Sequence, residues 1–409
     1  MNWIDYRTTR PLSYSRADIT AFPEVASVTL SAGETALLFS RAIAIEENPY
    51  RIEEQEAFTR NAKKLAACFS ENTRARIELV LQTGFGAVHV KGLPVDKNLP
   101  LTPVKGGSLS PEYKKTFVSE AMLLALGVLT GAEPFNFRQE GMGMSPLIDN
   151  IVPVPGLRTQ KGAGGFDNNF PFHCESAWHR KRPDYLILLG IREAADAKTL
   201  IFSASMLEGT NWMEESRNMQ GSFRLKAPDL YVQMEEAGIP MGTAAYSFEP
   251  PVNAGKNGIV LNVNFNGTDC TDIKTVEWLA RFEEFVETKA VGAVIAEGSA
   301  LLINNHKTCH TRTGYVPVFN GMDRWFLRGY FKLNLWSYGI SDTGVEEEFD
   351  ENDIQQLIGL GWMNEDRILT SAFSKFVYEP AEIKKLDSQK SRLAEIACKH
   401  TPIPGSRIV

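Results

Sequence analysis

A chain of 409 residues, 43% hydrophobic and 23% charged, is long enough to bury a sizeable core as one large domain or two smaller ones. The formal net charge of −7 offers nothing to a nucleic-acid backbone or an anionic membrane surface, and the longest apolar run, Ala121–Thr130, is too short to cross a bilayer. Met1–Arg10 lack the apolar core of a signal peptide, and five scattered cysteines (Cys68, Cys174, Cys270, Cys309, Cys398) make no CxxC or disulfide framework, so a reducing cytoplasm is the expected home.

Residues 1–40 carry weak signals. Apolar spacing predicts helices over Glu53–Ser70, Asn72–Gln82 and Glu112–Leu129, the last ended by Gly131. Ala87–Val90 is a short β run between them. Phe135–Val154, broken by Gly, Met and Pro, is expected along a pocket wall, and glycine-rich Gly162–Asn169 is either a lid or a plain connector. Asp184–Ile191 is nearly all apolar and predicts a strand buried on both faces. Ile259–Asn266 alternates: Ile259, Leu261, Val263 and Phe265 face a core, and Asn262, Asn264 and Asn266 face a polar cavity. Ile273–Val286 predicts an amphipathic helix with Ile273, Val276, Leu279, Phe282 and Phe285 on one stripe, and strands follow at Ser299–Asn304 and Arg324–Leu335. The tail after Trp336 is acidic at Glu346–Asp353, then helical in character, a solvated face or a subunit contact. Short β segments with helices outside them predict a mainly β fold with flanking helices. Its core is expected to be a double-stranded β-helix (jelly-roll), and no GxGxxG or P-loop pattern appears. The expected division is one domain: a mostly helical part over 1–83, the jelly-roll with a helical insert over 84–335, and an extension over 336–409.

Three segments carry chemistry. In Phe172-His173-Cys174-Glu175-Ser176-Ala177-Trp178-His179, His173 and Glu175 would leave one face of a strand together. His310, far downstream, is a candidate third ligand; His89, His306 and His400 have no partner pattern and read as structural. Two histidines and a carboxylate suit a non-haem Fe(II) centre, and alone they equally suit zinc or no metal. Arg324 and Arg328 share a strand face about 13 Å apart. Buried there, they require anions: either a bound acid held bidentately or Asp and Glu from elsewhere in the fold.

Read together, these segments resemble the Fe(II)/2-oxoglutarate oxygenases of the clavaminate synthase-like group, and within it the amino-acid hydroxylases such as asparagine oxygenase and arginine hydroxylase. The likeness runs from about Gly84 to Tyr330. It includes Gly92-Leu93-Pro94-Val95-Asp96, Gln139-Glu140-Gly141, Asp149-Asn150-Ile151-Val152-Pro153 and Arg182-Pro183-Asp184-Tyr185. It closes on Asn305, His310 and Arg312, then Asp323-Arg324-Trp325 and Arg328, with Arg324 fourteen residues after His310. The resemblance implies that His173, Glu175 and His310 ligate Fe(II), with 2-oxoglutarate and O2 as cosubstrates. It implies that Arg324 clamps the distal carboxylate of 2-oxoglutarate, with Thr199 as a hydroxyl partner. Arg328 would meet a substrate α-carboxylate, and Gln139 or Glu140 its amino group. Asn264 stands where relatives often carry aspartate, implying a neutral polar substrate group, and Trp178 stands where they usually carry Phe.

The implied reaction is hydroxylation of an unactivated C–H of a free amino acid or amino-acid-derived small molecule, in specialised metabolism such as antibiotic biosynthesis. Desaturation or cyclisation of the same substrates is the alternative outcome. Glu175 argues against halogenation, since related halogenases lack that carboxylate. A zinc-dependent hydrolase leaves Arg324 without a task, and a non-catalytic binding barrel remains the third reading.

Overall fold

The computed structural model describes residues 3–10, 22–135, 138–139, 143–144, 147–159, 164–167, 170–179, 182–193, 196–228, 232–233, 236, 245–255, 258–333, 351–363 and 386–399. Among these, helix and strand are mixed, which corrects the mainly β expectation. The added weight comes from Ala32–Ala42, Ile52–Lys64, Glu71–Glu78, Val118–Leu129 and Ile273–Lys289. Ala32–Ala42, capped by Ser31 and packed through Leu38 and Ala42, comes from a stretch where the sequence signal was weak.

The largest sheet runs in the order Ser27–Thr29, Ala87–Lys91, Ser299–Asn304, Tyr185–Arg192, Trp325–Lys332, Glu133–Phe135, with Asp149–Ile151 also on Trp325–Lys332. Tyr185–Arg192 lies at its centre, and its period-2 alternation sorts the two layers. Tyr185, Ile187, Leu189 and Ile191 join the core under the helix Val118–Leu129. Leu186 and Leu188 face Ile201 and Ala293 of a second, three-stranded sheet: Val291–Ala293, Thr199–Ser203, Thr308–Arg312. The main sheet therefore has helices on one face and a sheet on the other.

Helix Val118–Leu129 nests closely because of Gly127: a Cβ there would meet the Phe331 ring at 1.9 Å. The expected start at Glu112 moves to Val118 because the cap comes from far upstream. Asp96 accepts from the backbone N–H of Val118 (3.0 Å) and Ser119 (3.1 Å), satisfying first-turn donors. Lys114, wholly buried, bridges Asp96 and Glu120 at 2.9 and 2.8 Å. A further core gathers Val276, Leu279, Phe282 and Val286 of the Ile273–Lys289 helix against Phe202, Phe223 and Phe265. Ile273, expected in that stripe, is exposed at the helix start, next to the capping Asp272. Regular pairing also ends earlier than the alternation suggested, at Leu261 and at Lys332. No helix among the described residues is long and apolar enough to cross a membrane.

Candidate metal centre

His310 sits mid-strand in Thr308–Arg312, opposite Ile201. On its other edge it exchanges backbone hydrogen bonds with His173: His173 N to His310 O at 3.0 Å and His310 N to His173 O at 2.9 Å. His173 in turn bridges Asn264. Residues directly opposite share a face, so Asn264, His173 and His310 point the same way, and the two imidazole centroids lie 4.4 Å apart.

Glu175 reaches that spot by a different route from the expected strand. After His173 the chain turns through Glu175–Trp178, and Ser176 takes a positive φ of 52°. Such backbone persists where its surroundings hold it, and here Asn305 does so. Its Oδ1 accepts from Glu175 N at 2.7 Å, and its Nδ2 donates to Glu175 O and to Pro183 O, each at 2.9 Å. The carboxylate then divides its oxygens. Oε2 lies 3.9 Å from His173 Nε2 and 3.8 Å from His310 Nε2. Oε1 accepts from the Tyr330 hydroxyl at 2.7 Å and from Arg328 Nη1 at 3.4 Å.

The donor set suits a divalent ion. Ligand atoms of His173, Glu175 and His310 all lie within 4.8 Å of one another, the one such cluster among the described residues. His173 Nδ1 is 2.9 Å from Pro171 O, so that nitrogen carries the proton and leaves the Nε2 lone pair facing inward. Burial, then the neighbouring His173, hold His310 neutral down to about 3; burial likewise lowers His173. Burial alone would raise Glu175, but Arg328, the two histidines and Tyr330 outweigh it and set it at about 2. Two neutral imidazoles and an ionised carboxylate are what a non-haem iron or zinc site requires.

The two arginines of the Trp325 segment meet different fates. Arg328 is paired with protein acids, Asp149 at 2.5 Å and Glu175. Arg324 is 5% exposed and has no carboxylate partner among the described residues; its guanidinium packs 3.7 Å over the Phe326 ring, and Nε and Nη1 lack hydrogen-bond partners. Two more buried oxygens without partners among the described residues, Tyr315 Oη and Thr311 Oγ1, belong to the same region of the chain. Arg312 stacks on Tyr315 and donates to Gly165 O and Thr313 O; burial, then the nearby Arg324, lower it to about 10. A buried cationic region without acids among the described residues fits a dicarboxylate.

The remaining expected residues scatter. Thr199 is buried opposite Arg312 on the adjacent strand, one pair removed from the Thr311–Leu200 pair. Asn264 shares the histidine face, although its Oδ1 accepts from its own Gly267 N at 3.1 Å. Asn262 is turned away, its amide 3.3 Å from Pro250 O. Trp178 is packed in the apolar core with Phe172 and Cys174. Gln139 lies on a two-residue strand paired with Gly143, and Glu140 is outside the described residues. Of the glycine-rich stretch, Gly165 and Phe166 are tied to Arg312 through their carbonyls. Cys174 and Cys309, beside two ligands, are buried packing residues, and His89 is a core histidine 3.0 Å from Ser299. Tyr330 and Asp149 gain roles that sequence reading had not given them. Tyr330 was findable, two residues past Arg328 and hence on the same strand face.

No family model matches the chain. An L-asparagine oxygenase of Streptomyces coelicolor is 29% identical over 262 residues, 61% of this chain and 72% of that protein. Clavaminate synthase 2 of Streptomyces clavuligerus is 25% identical over 280 residues, 68% of this chain and 84% of the relative. Among solved structures, asparagine oxygenase with Fe(II), 3-hydroxyasparagine and succinate superposes with a TM-score of 0.63 at 23% identity, covering 76% of this chain and 95% of the other. The resemblance to clavaminate synthase-like oxygenases drawn from the residues therefore holds.

Proposed function

We propose that the chain is an Fe(II)- and 2-oxoglutarate-dependent dioxygenase that hydroxylates an unactivated C–H of a free amino acid or a small molecule derived from one. The observation that carries this reading is the conjunction of His173, Glu175 and His310 with Arg324, a buried guanidinium without a protein acid among the described residues. A zinc hydrolase would explain the first cluster and leave the second without purpose.

His173, Glu175 and His310 would hold the iron, which when bound would supply the oxidising chemistry that 2-oxoglutarate and O2 drive. The rest is the protein's work. Arg324 pairs with the distal carboxylate of 2-oxoglutarate, helped by Tyr315 and by the hydroxyl of Thr199, and so fixes the cosubstrate's direction. Tyr330 and Arg328 hold Glu175 Oε1 so that Oε2 stays toward the metal. Arg328 meets the substrate carboxylate, Gln139 or Glu140 its amino group, and Asn264, on the face of the two histidines, lines the rest of the pocket. Two packed sheets with the ligands between them support a jelly-roll core over 84–335, flanked by a helical part over 1–83 and an extension over 336–409, in one cytoplasmic domain.

The test is oxygen-dependent succinate formation by the iron-loaded protein, with product mass followed across free L-amino acids. Succinate together with a product heavier by one oxygen supports the reading, and product lighter by two hydrogens points to desaturation. Zinc-supported hydrolysis without oxygen uptake would overturn it.

A further inference from the structure

Arg324 sends its guanidinium over Phe326, between the sheets, but what holds its backbone lies elsewhere. Consecutive residues of extended chain alternate, so Trp325 faces the other way, into the core under the Val118–Leu129 helix. The sheet is irregular at this point. Trp325 pairs with Arg192 and Phe326 with Gly190, which leaves Ile191 without an opposite residue. Such a bulge re-aims side chains and interrupts the ladder that would otherwise fix them.

Two braces act in place of the ladder. Downstream of Arg324, Trp325 is fully buried and its Nε1–H donates to Asn150 Oδ1 at 2.8 Å. Asn150 offers that oxygen in one orientation, because its Nδ2 donates to Gly107 O at 2.9 Å and to the Tyr50 hydroxyl at 3.1 Å. The Tyr50 hydroxyl donates onward to Glu120 at 2.9 Å. Upstream, Asp323 O accepts from Thr102 Oγ1 at 2.7 Å, and the same hydroxyl accepts from Arg192 Nη1 at 2.9 Å. Arg192 also lies 5.7 Å from the centroid of the Trp325 ring, which joins the two braces.

The inner face offers Arg324 the rings of Tyr315 and Phe326, while its Nε and Nη1 have no hydrogen-bond partner among the described residues. Stacking on a ring leaves the fork free to turn in its own plane, whereas a bidentate grip on a carboxylate requires that direction to be set. We propose that Asn150 and Thr102 are positioning residues for Arg324. By pinning the residues on either side of it from outside the pocket, they aim its guanidinium at the distal carboxylate of 2-oxoglutarate. This rests on the oxygenase reading above.

The test compares Trp325→Phe, which removes the N–H that Asn150 holds, with Thr102→Val, Thr102→Ser and the unaltered full-length protein, all iron-loaded and anaerobic. Calorimetry measures binding of 2-oxoglutarate and of pyruvate, a 2-oxo acid with no distal carboxylate for Arg324 to meet. Trp325→Phe and Thr102→Val should each raise the Kd for 2-oxoglutarate about tenfold, short of the about 100-fold that a misplacement of about 1 Å can cost. Pyruvate binding and iron affinity should stay as in the unaltered protein. Thr102→Ser keeps the hydroxyl and should bind 2-oxoglutarate nearly as well as the unaltered protein does. Equal loss of both acids would mark general damage to the site and overturn the proposal. Undiminished 2-oxoglutarate binding by folded Trp325→Phe and Thr102→Val proteins overturns it too, and if Trp325→Phe does not fold, the two Thr102 variants decide alone. In each of these cases a preference of the unaltered protein for 2-oxoglutarate over pyruvate leaves the oxygenase reading standing; without that preference, both fall.

Discussion

Arg324, just before the strand Trp325–Lys332, and Arg328 within it are four residues apart, yet the fold treats them as opposites. Arg328 is held by two protein carboxylates; burial opposes its charged form, but Tyr330, Glu175 and Asp149 outweigh burial and raise its basicity. Arg324 is more deeply buried and packs on aromatic rings instead of acids, and burial lowers its basicity. Removing a charge from water without pairing it is costly. Arg328 offsets that cost with protein acids; among the described residues Arg324 does not.

The sharpest break in that comparison is made upstream of both arginines. His310→Ala should cost more iron affinity and succinate formation than the about 10–100-fold typical of losing an outer partner. Iron titration alongside turnover checks this. Arg324→Ala comes next: the KM for 2-oxoglutarate should rise about 30-fold or more, the equivalent of at least about 2 kcal/mol for an unpaired buried partner. Arg324→Lys should recover little of it, because a point charge does not replace the planar fork. Arg328→Ala should leave that KM far less changed and instead separate succinate formation from product. Equal KM effects of the two substitutions would erase the distinction. Tyr330→Phe, which removes one hydrogen bond to Glu175, should weaken metal binding by about tenfold, the lower end of the same range, with little change in the 2-oxoglutarate KM.

A separate effect lies outside the site and concerns pH. Burial, with some help from Lys91, lowers His89 from 6.5 to about 4. Between those values the unfolded chain binds the proton and the folded chain does not, so stability falls as pH drops through that window. The loss is at most about 3 kcal/mol. Thermal melts from pH 7 to 4 should show it, and His89→Gln should flatten the slope; an unchanged slope would assign the pH effect elsewhere.

What the sequence revealed and what it hid divide along physical lines. Alternation and apolar runs marked Tyr185–Arg192, Ser299–Asn304 and the buried helix ahead of Gly131, since burial there repeats with the period of the backbone. The spacing of His310 from Arg324 was visible because His310 lies on one strand and Arg324 directly precedes the next, with one short connection between them. Hidden were contacts between residues far apart in the chain. Asn305 grips Glu175 from 130 positions away, Asp149 meets Arg328 across 179, and Asp96 caps a helix 22 residues downstream. No local pattern encodes such pairs. The turn that carries Glu175 was misread as strand for the same reason, since its positive φ at Ser176 is imposed by a distant asparagine.

On the proposed reading, the buried guanidinium of Arg324 also ties the melting behaviour of the protein to the composition of its solution. A dicarboxylate that pairs with it would bind the folded chain and have no comparable site on the unfolded one. By mass action it adds about 2.7 kcal/mol of stability at one hundred times its Kd. Melting temperature is thus a calorimeter for the cosubstrate: ranked across succinate, 2-oxoglutarate and longer homologues, it measures the reach of Arg324 with no catalysis at all.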